Sequence, residues 1–581
     1  MALLSKTTIF IDGNEVPAFK HLYLNQQIAA HHTLEIVFRK DIFEDDTTEL
    51  GEKSKEFLGK RIAVQIGPIS DNSDMGILEF TGIVTEIKIT KGGNTGGGDE
   101  IIISAKSLTI LFDEGPHCDS YNESSLEDII SLCLQPYPIN YTISTQYIEV
   151  IDYCVQQNES TFAFIRRLAA QCGEWFYYNG QELVFGHPEF EETALKYTND
   201  LHAYDLSLRP CSQNHAYYSN DYIADEIHVN NEQSKPHDIS AISGFVFDKS
   251  KEMYSHPTLA WNNNNNSPFA KNQLEAKVKA QHECTVINEV ILNGSSSNPG
   301  VKLGNIIKIK DEKYRVIKVV HSTDQSGHYQ NNFTAITGSF NAYPFTNINA
   351  FPKSESQIGV VTDNYDPEAM GRIKVQFPWQ IAKNKTTPWI RMMSPHAGSG
   401  KGFYCIPEIG EEVLIDFEGN NAEAPYAAGC FYNANAKPPS NSSGASNAIK
   451  IFQTRSGCSL TFNDGDGSIK LKDKEGSMIY MYGNGDVLIS AMENLNTDCK
   501  VAAFDGRESV NVGSPSTTIA GDQSLWLTSD LELKAEGATA IVEATSGKVE
   551  VKGLLAEVNA SSVKVNGTVS TEIKGGQVKL N

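Results

Sequence analysis

Chemistry-bearing motifs are what this 581-residue sequence lacks. It contains no H-E-x-x-H, no G-x-S-x-G and no G-x-x-x-x-G-K-[ST], and the run from His396 to Lys401 misses the spacing of the last. Zincin, hydrolase-elbow and phosphate-loop chemistry therefore have no foothold. Its ten cysteines show no C-x-x-C and no zinc-like spacing, so reduced and mostly buried thiols are expected. Residues 463–467, NDGDG, have neither the sixth-position glycine nor the twelfth-position carboxylate of an EF-hand counted from Asn463, and read as a tight turn. His31 and His32 would alternate across a strand and could not share one metal. No cofactor and no metal are expected. Basic residues number 48 against 72 acidic ones, net −24, with no Lys/Arg cluster carrying interleaved aromatics, so nucleic acid is not an expected partner. The first residues, MALLSKTTIFIDGNEV, break any apolar run with a lysine and polar groups, and no later run reaches membrane-spanning length. The reading is a chain without signal peptide or transmembrane segment, made and folded in the cytoplasm.

What is present is strand, above all at the C-terminal end. Over residues 547–581 Val549 and Val551, Val563 and Val565, Val569 and Ile573, and Val578 and Leu580 fall on one face. Lysines and glutamates take the other, a period of two. Each strand offers about two small apolar side chains, roughly 1.5–3 kcal/mol apiece when buried. Fixing the backbone costs roughly 1–2 kcal/mol per residue. A lone meander would not hold, whereas identical chains wound together would pair every strand on both edges. The expectation is an intertwined trimeric prism over residues 447–581, with Val549, Val551, Val563, Val565, Val569 and Ile573 in its core. The alternative is an ordinary antiparallel sheet packed on the rest of its own chain. The same texture of short strands and glycine turns runs from Gly457 onward with no helical period, which favours self-association.

Residues 1–115 read as strands divided by polar turns, with 92–99, GGNTGGGD, as a hairpin tip. Ser124 and Glu127 open a helix through SLEDIISLCL. A second helix starts near Ser160 and ends at Gly173, and a hairpin turns at Asn179 and Gly180. The segment ESTFAFIRRLAAQCGEWFYYNGQELVFG resembles one found in VgrG spike proteins of type VI secretion systems and in hub proteins of contractile phage tails. That resemblance implies two hub-like β-barrels within residues 1–350 and an α/β insertion at about 115–215. Ala270 to Cys284 reads as a helix with Leu274 and Val278 inward, and the asparagines from Asn262 to Asn266 as a solvated loop.

Residues 355–436 suit a small barrel of OB type, five or so short strands with glycines at the corners. They also closely resemble the VgrG central domain. Gly371, Arg372, Pro378, Trp379, Trp389, Arg391, Gly398, Pro407, Gly410, Glu412, Asp416 and Gly419 sit on its pattern. The chain departs from it at Asn420, Asn421, Ala422 and Glu423, where the family usually has Asp-Pro-Asp. Trp379 and Trp389 could stack on bases or sugars, yet EIGEEVLIDFEG is acidic, and core and trimer contacts are expected instead. Residues 437–446 are a linker, too short for an intervening domain, which needs at least about 50 residues.

The fold class that follows is mainly β and multidomain: hub, OB domain and trimeric spike. The resemblance implies a non-enzymatic homotrimer seated on a hexameric Hcp-like tube, surrounded by baseplate proteins and propelled to puncture membranes. It also implies a PAAR-type tip protein, with effectors, docked at Gly575, Gly576, Gln577, Val578, Lys579, Leu580 and Asn581. The spike of an extracellular contractile particle or phage tail is the nearest alternative. A β-helical polysaccharide-degrading enzyme would need a coil repeat of roughly 20 residues and convergent Asp or Arg side chains on one outer strand, and the sequence shows neither.

Overall fold

The computed structural model describes residues 5–44, 51–69, 75–91, 99–187, 189–262, 270–440, 442–521, 524–534 and 536–579. The expected glycine-rich hairpin tip, four of the five asparagines, Leu580 and Asn581 lie outside them. The chain forms two units, one of Met1–Gln453 with Phe462–Gly465, the other of Thr454–Thr461 with Asp466–Asn581.

Alternating residues build the first unit's main sheet. In His21–Gln27 and Thr33–Arg39 the side chains of Leu22, Leu24, Leu34, Ile36 and Phe38 are all buried, with polar neighbours facing out. Thirteen strands join in one sheet. Its path runs Leu201–Leu208, Val290–Ser296, Tyr329–Thr337, Glu312–Asp324, His21–Gln27, Thr33–Arg39, Glu100–Ser107, Leu78–Thr90, Arg61–Pro68, Ser5–Ile11, Asn14–Val16. The resemblance implied two barrels. Here the N-terminal and later strands are continuous, because His21–Gln27 pairs with Glu312–Asp324 from Gln27↔Lys318 to His21↔Asp324. Among the described residues the path ends on two open edges and closes into no barrel.

A buried polar chain crosses that seam. Gln26 joins two histidines: its Nε2 lies 3.1 Å from His32 Nδ1 and its Oε1 3.1 Å from His321 Nε2. Tyr329 OH is 2.7 Å from His321 Nδ1 and accepts from Asn331 Nδ2, which also donates to the Asn298 carbonyl. Burial pushes both imidazoles down to about 3. His31, by contrast, faces Thr109 and Asp113.

Helix α1, Leu126–Leu134, is capped by Ser125, whose hydroxyl accepts from Asp128 N–H, one residue later than expected. Helix α2, Thr161–Cys172, is capped by Ser160 and closed by Gly173 at φ 75°, as expected. The hairpin of Phe176–Tyr178 with Leu183–Gly186 turns at Asn179 and Gly180. Helix α3, Ala241–Met253, was not legible beforehand. Helix α4, Ala270–Ile287, buries Leu274 and Val278 and runs three residues further than expected. It backs a three-stranded sheet of Glu226–Asn230, His215–Asp221 and Thr258–Trp261. Four of the ten cysteines are buried, and Cys405, Cys430 and Cys499 are exposed, against the expectation that most would be inside.

In the OB region Lys374–Gln376, Gln357–Asp363, Glu412–Phe417 and Pro425–Cys430 pair in that order around Val361, Ile373, Val375, Phe377, Val413 and Ile415. The second unit holds the meander Ser468–Lys472, Met478–Met481, Val487–Ser490. Its described residues from Met492 onward form no ladder, and their side chains are exposed. Val549, Val551, Val563, Val565, Val569 and Ile573 are all more than half exposed.

Candidate functional site

Two sets of residues came out of the sequence, the OB signature and the C-terminal tip, and the structure brings the first together around a joint. The strand Ile151–Glu159 lies beside α2, yet its Tyr153 and Val155 belong to the OB core cluster. Arg167 on α2 donates to the Val155 carbonyl at 2.6 Å and to Glu159 Oε1 at 2.8 Å. Its Nη1 stands 3.5 Å from Glu423 Oε1, which also accepts from Val155 N–H. Glu423 is thus a clamp, and it lies in the stretch where the sequence leaves the family pattern. Burial disfavours the Arg167 charge, but Glu423 and Glu159 outweigh it and raise its pKa. A buried pair of this kind is costly to break on one side only.

A second lacing runs along His117–Ser124. Asp119 takes Lys383 Nζ and Lys385 Nζ, both at 2.6 Å, and Gln380 Nε2 donates to Ser120 Oγ at 2.8 Å. Asn122 Nδ2 donates to the Thr386 carbonyl. Burial works to raise the Asp119 carboxyl, and the two lysines overcome it and hold it low. Neither clamp was visible in sequence, since partners are separated by more than 250 residues; the Glu-to-Arg spacing in the α2 motif was the one signal available.

The signature residues hold the OB domain itself. Arg372 forks onto Asp366 at 2.7 and 3.1 Å. Burial would raise that carboxyl, but the guanidinium and the N–H groups of Glu368, Met370 and Arg372 bring it down to about 2. Gly371, at φ 73°, takes a backbone conformation strained for a residue with a Cβ, which would stand 3.2 Å from the Tyr404 ring. Pro378 opens the short helix Pro378–Lys383, where Trp379 stacks on Phe377 and donates to Gln357 Oε1. Trp389 carries Lys374 over its face at 5.0 Å. Arg391 pairs with Glu418 and stacks over Tyr222 at 4.3 Å. Pro407 offers its carbonyl to Asn364, and Gly398 sits on a tight two-strand ribbon. Gly410 and Gly419 take positive φ; Glu412 and Asp416 lie on Glu412–Phe417.

Burial pushes Cys133 up to about 11 and Cys172 up to about 12, far from a reactive thiolate. Ser160, Asp113 and His31 are linked, but the carboxylate stands between the hydroxyl and the imidazole, so the order is not that of a Ser-His-Asp triad and the imidazole does not bond Ser160. Among the described residues no group of three or more candidate ligands gathers. At the tip Gly575, Gly576, Gln577, Val578 and Lys579 are exposed.

Two family models match: residues 33–315 match the phage tail baseplate hub, and 357–432 the type VI secretion system/phage-baseplate injector OB domain. The chain is 23% identical over 388 residues to the spike protein VgrG1a of Pseudomonas aeruginosa, covering 58% of this chain and 57% of that one. It is 22% identical over 495 residues to VgrG1b of the same organism, covering 73% and 63%. It therefore spans less than two thirds of the length of these relatives. In structure it resembles a chain of the lidded Francisella PdpA-VgrG complex at TM-score 0.53 and 10% identity, covering 84% of this chain and 80% of that one.

Proposed function

We propose that this chain, a VgrG spike homologue with a phage-hub-like fold and an injector OB domain, works as the homotrimeric spike of a contractile injection machine. The observation that carries the reading is the second unit. Leu531, Leu554, Val569 and dozens of residues around them present apolar side chains to solvent, with no ladder among the described residues beyond Val487–Ser490. Exposure on that scale in one chain calls for a partner, and three copies wound together supply a matching stripe at every strand. The clamped joint of the first unit supports a mechanical role, because axial load entering the hub reaches the OB domain through buried ion pairs and a shared core.

In this reading the hub seats on a hexameric Hcp-like tube within the baseplate. The residues from Gly575 to the end dock a PAAR-type tip protein and its effectors. The chain is made in the cytoplasm and expelled by contraction to breach a target membrane, and it performs no catalysis of its own. Light scattering of the purified chain should give about three times 63.9 kDa, and Val563→Asp with Val565→Asp should abolish that mass. A compact monomer whose residues 491–579 resist protease would refute the proposal.

A further inference from the structure

Helix α2 carries Ala163, Arg166, Arg167 and Ala170 at the three- and four-residue spacings that share one helix face. The alanines are small, and between this face and the segments 27–30 and 343–350 lies a cleft of about 630 Å³. That volume is within the range of sites that hold a small ligand or the end of a peptide. The Asn347 N–H donates to the Ala170 carbonyl at 2.8 Å and ties one wall to the helix. Ile28, Ala29, Ala30 and Phe345 make the other walls mostly apolar. The spike reading makes no use of this cleft.

The charged lining residues are Glu159, Arg166 and Arg167, two bases against one acid in a chain of net charge −24. The two arginines have different surroundings. Arg167 is held by Glu159, Glu423 and the Val155 carbonyl, so Glu159 is spent on it. Arg166 is exposed and makes no ion pair or hydrogen bond among the described residues. Tyr343, in the same lining, is 1% exposed, and its hydroxyl has no hydrogen-bond partner among the described residues. A buried polar group left unpaired is costly. Burial raises the phenol's pKa and so keeps it a donor, and Arg166 is the leading charge that acts on it. Glu174, Lys279 and Glu283, which line a separate pocket on another side of Tyr343, are not among the charges that act on it, and this places the hydroxyl towards Arg166. Asn347 adds a third donor, since its Oδ1 accepts from the Asn349 N–H and its Nδ2 is uncommitted among the described residues. A guanidinium, a phenol and an amide N–H₂ thus line one cleft without a resident acceptor, and a carboxylate is the acceptor that the guanidinium fork fits.

We propose that this cleft captures the C-terminal end of another protein, with the terminal carboxylate on Arg166, Tyr343 and Asn347 and the last residue's apolar side chain against Ile28, Ala29 and Phe345. The occupant follows from charge complementarity, because the lining's unpaired charge is positive. A chain end also bears its carboxylate one carbon away from a side chain, which matches donors that adjoin an apolar wall. An aspartate or glutamate side chain presents no apolar group beside its carboxylate. The Tyr343 hydroxyl is closed to water in the free protein, so reaching it takes a local shift of the side chains around it.

The test is fluorescence anisotropy of the full-length protein with the peptide Ala-Leu-Phe, labelled at its N-terminus with a neutral dye and ending in a free carboxylate. The same peptide ending in an amide is the second arm, and unlabelled 4-phenylbutyrate, as a competitor, is the third. The expected result is saturable binding of the acid peptide, with the amide and the free acid each at least tenfold weaker. Arg166→Gln should weaken the acid peptide at least tenfold, and Tyr343→Phe about threefold. Arg166 is exposed and Tyr343 keeps its ring, so both variants should fold, which circular dichroism checks; Tyr343→Phe should not lower Tm, because its hydroxyl has no partner to lose. Equal affinity for the amide or for phenylbutyrate, unchanged binding in Arg166→Gln, or no saturable change up to millimolar protein would each overturn the proposal.

Discussion

Acid should open the seam between the N-terminal and later strands of the main sheet, and the cost can be worked from its two buried histidines. His32 and His321 have folded values near 3, through burial first; a backbone hydrogen bond at Gln27 works against it at His32, where the His31 charge lowers the value further, and the His32 charge adds to burial at His321, against about 6.5 in the unfolded chain. Their folded pKa is depressed, so the stability they confer is fully present above about pH 6.5, falls as pH drops below it, and is gone below about pH 3. At pH 5, about one and a half units under the unfolded pKa and still above the folded one, each imidazole contributes a penalty of roughly 2 kcal/mol. The pair costs roughly 4 kcal/mol, a large part of the 5–15 kcal/mol that typically separates folded from unfolded. Among the described residues no carboxylate is hydrogen-bonded to either ring; Gln26, Tyr329, Phe80 and Tyr178 face them, with His31 adjacent in sequence. Hydrogen exchange of peptides from His21–Gln27 and Glu312–Asp324, corrected for intrinsic rates, should show protection lost between pH 7 and pH 5. His321→Gln should roughly halve that pH dependence even if it lowers stability throughout. An opening free energy that does not change with pH, or a variant that loses as much on acidification as the parent, would refute the reasoning.

The joint offers a second measurement. Glu423→Ala leaves Arg167 with one carboxylate fewer in a buried site and should cost about 3–5 kcal/mol, visible as earlier proteolysis of the OB domain while the main sheet stays protected. In the second unit, Gly483 sits at φ 82°, and a Cβ there would stand 2.1 Å from the Asp466 carbonyl. Gly483→Ala should therefore destabilise the meander by more than about 1 kcal/mol, read as faster exchange in Met478–Met481; unchanged exchange would show that the turn can relax.

Much of the architecture was readable because its signals are local. Period-two alternation announced the strands, Ser160 and Gly173 bracketed α2 through their capping chemistry, and Asn179-Gly180 marked its hairpin. Helix α1 slipped by one residue because Ser124 and Ser125 are both competent caps, and Asp128 N–H is satisfied by the second. Helix α3 escaped because Gly244 interrupts a weak apolar pattern within a stretch otherwise rich in serine and lysine. Strand order could not be read at all: nothing in HLYLNQQ names EKYRVIKVVHSTD, almost 300 residues away, as its neighbour. The same distance hid the clamp, where Glu423 looked like a departure from pattern and its buried partner lay on α2.

Tyr153 and Val155 fill a core that belongs to residues two hundred positions downstream. The boundary that sequence draws between hub and collar is therefore not a place where the polypeptide can be cut and exchanged. A collar transplanted from a relative would arrive with a socket shaped for another chain's strand, so strand and socket have to be moved as one cassette.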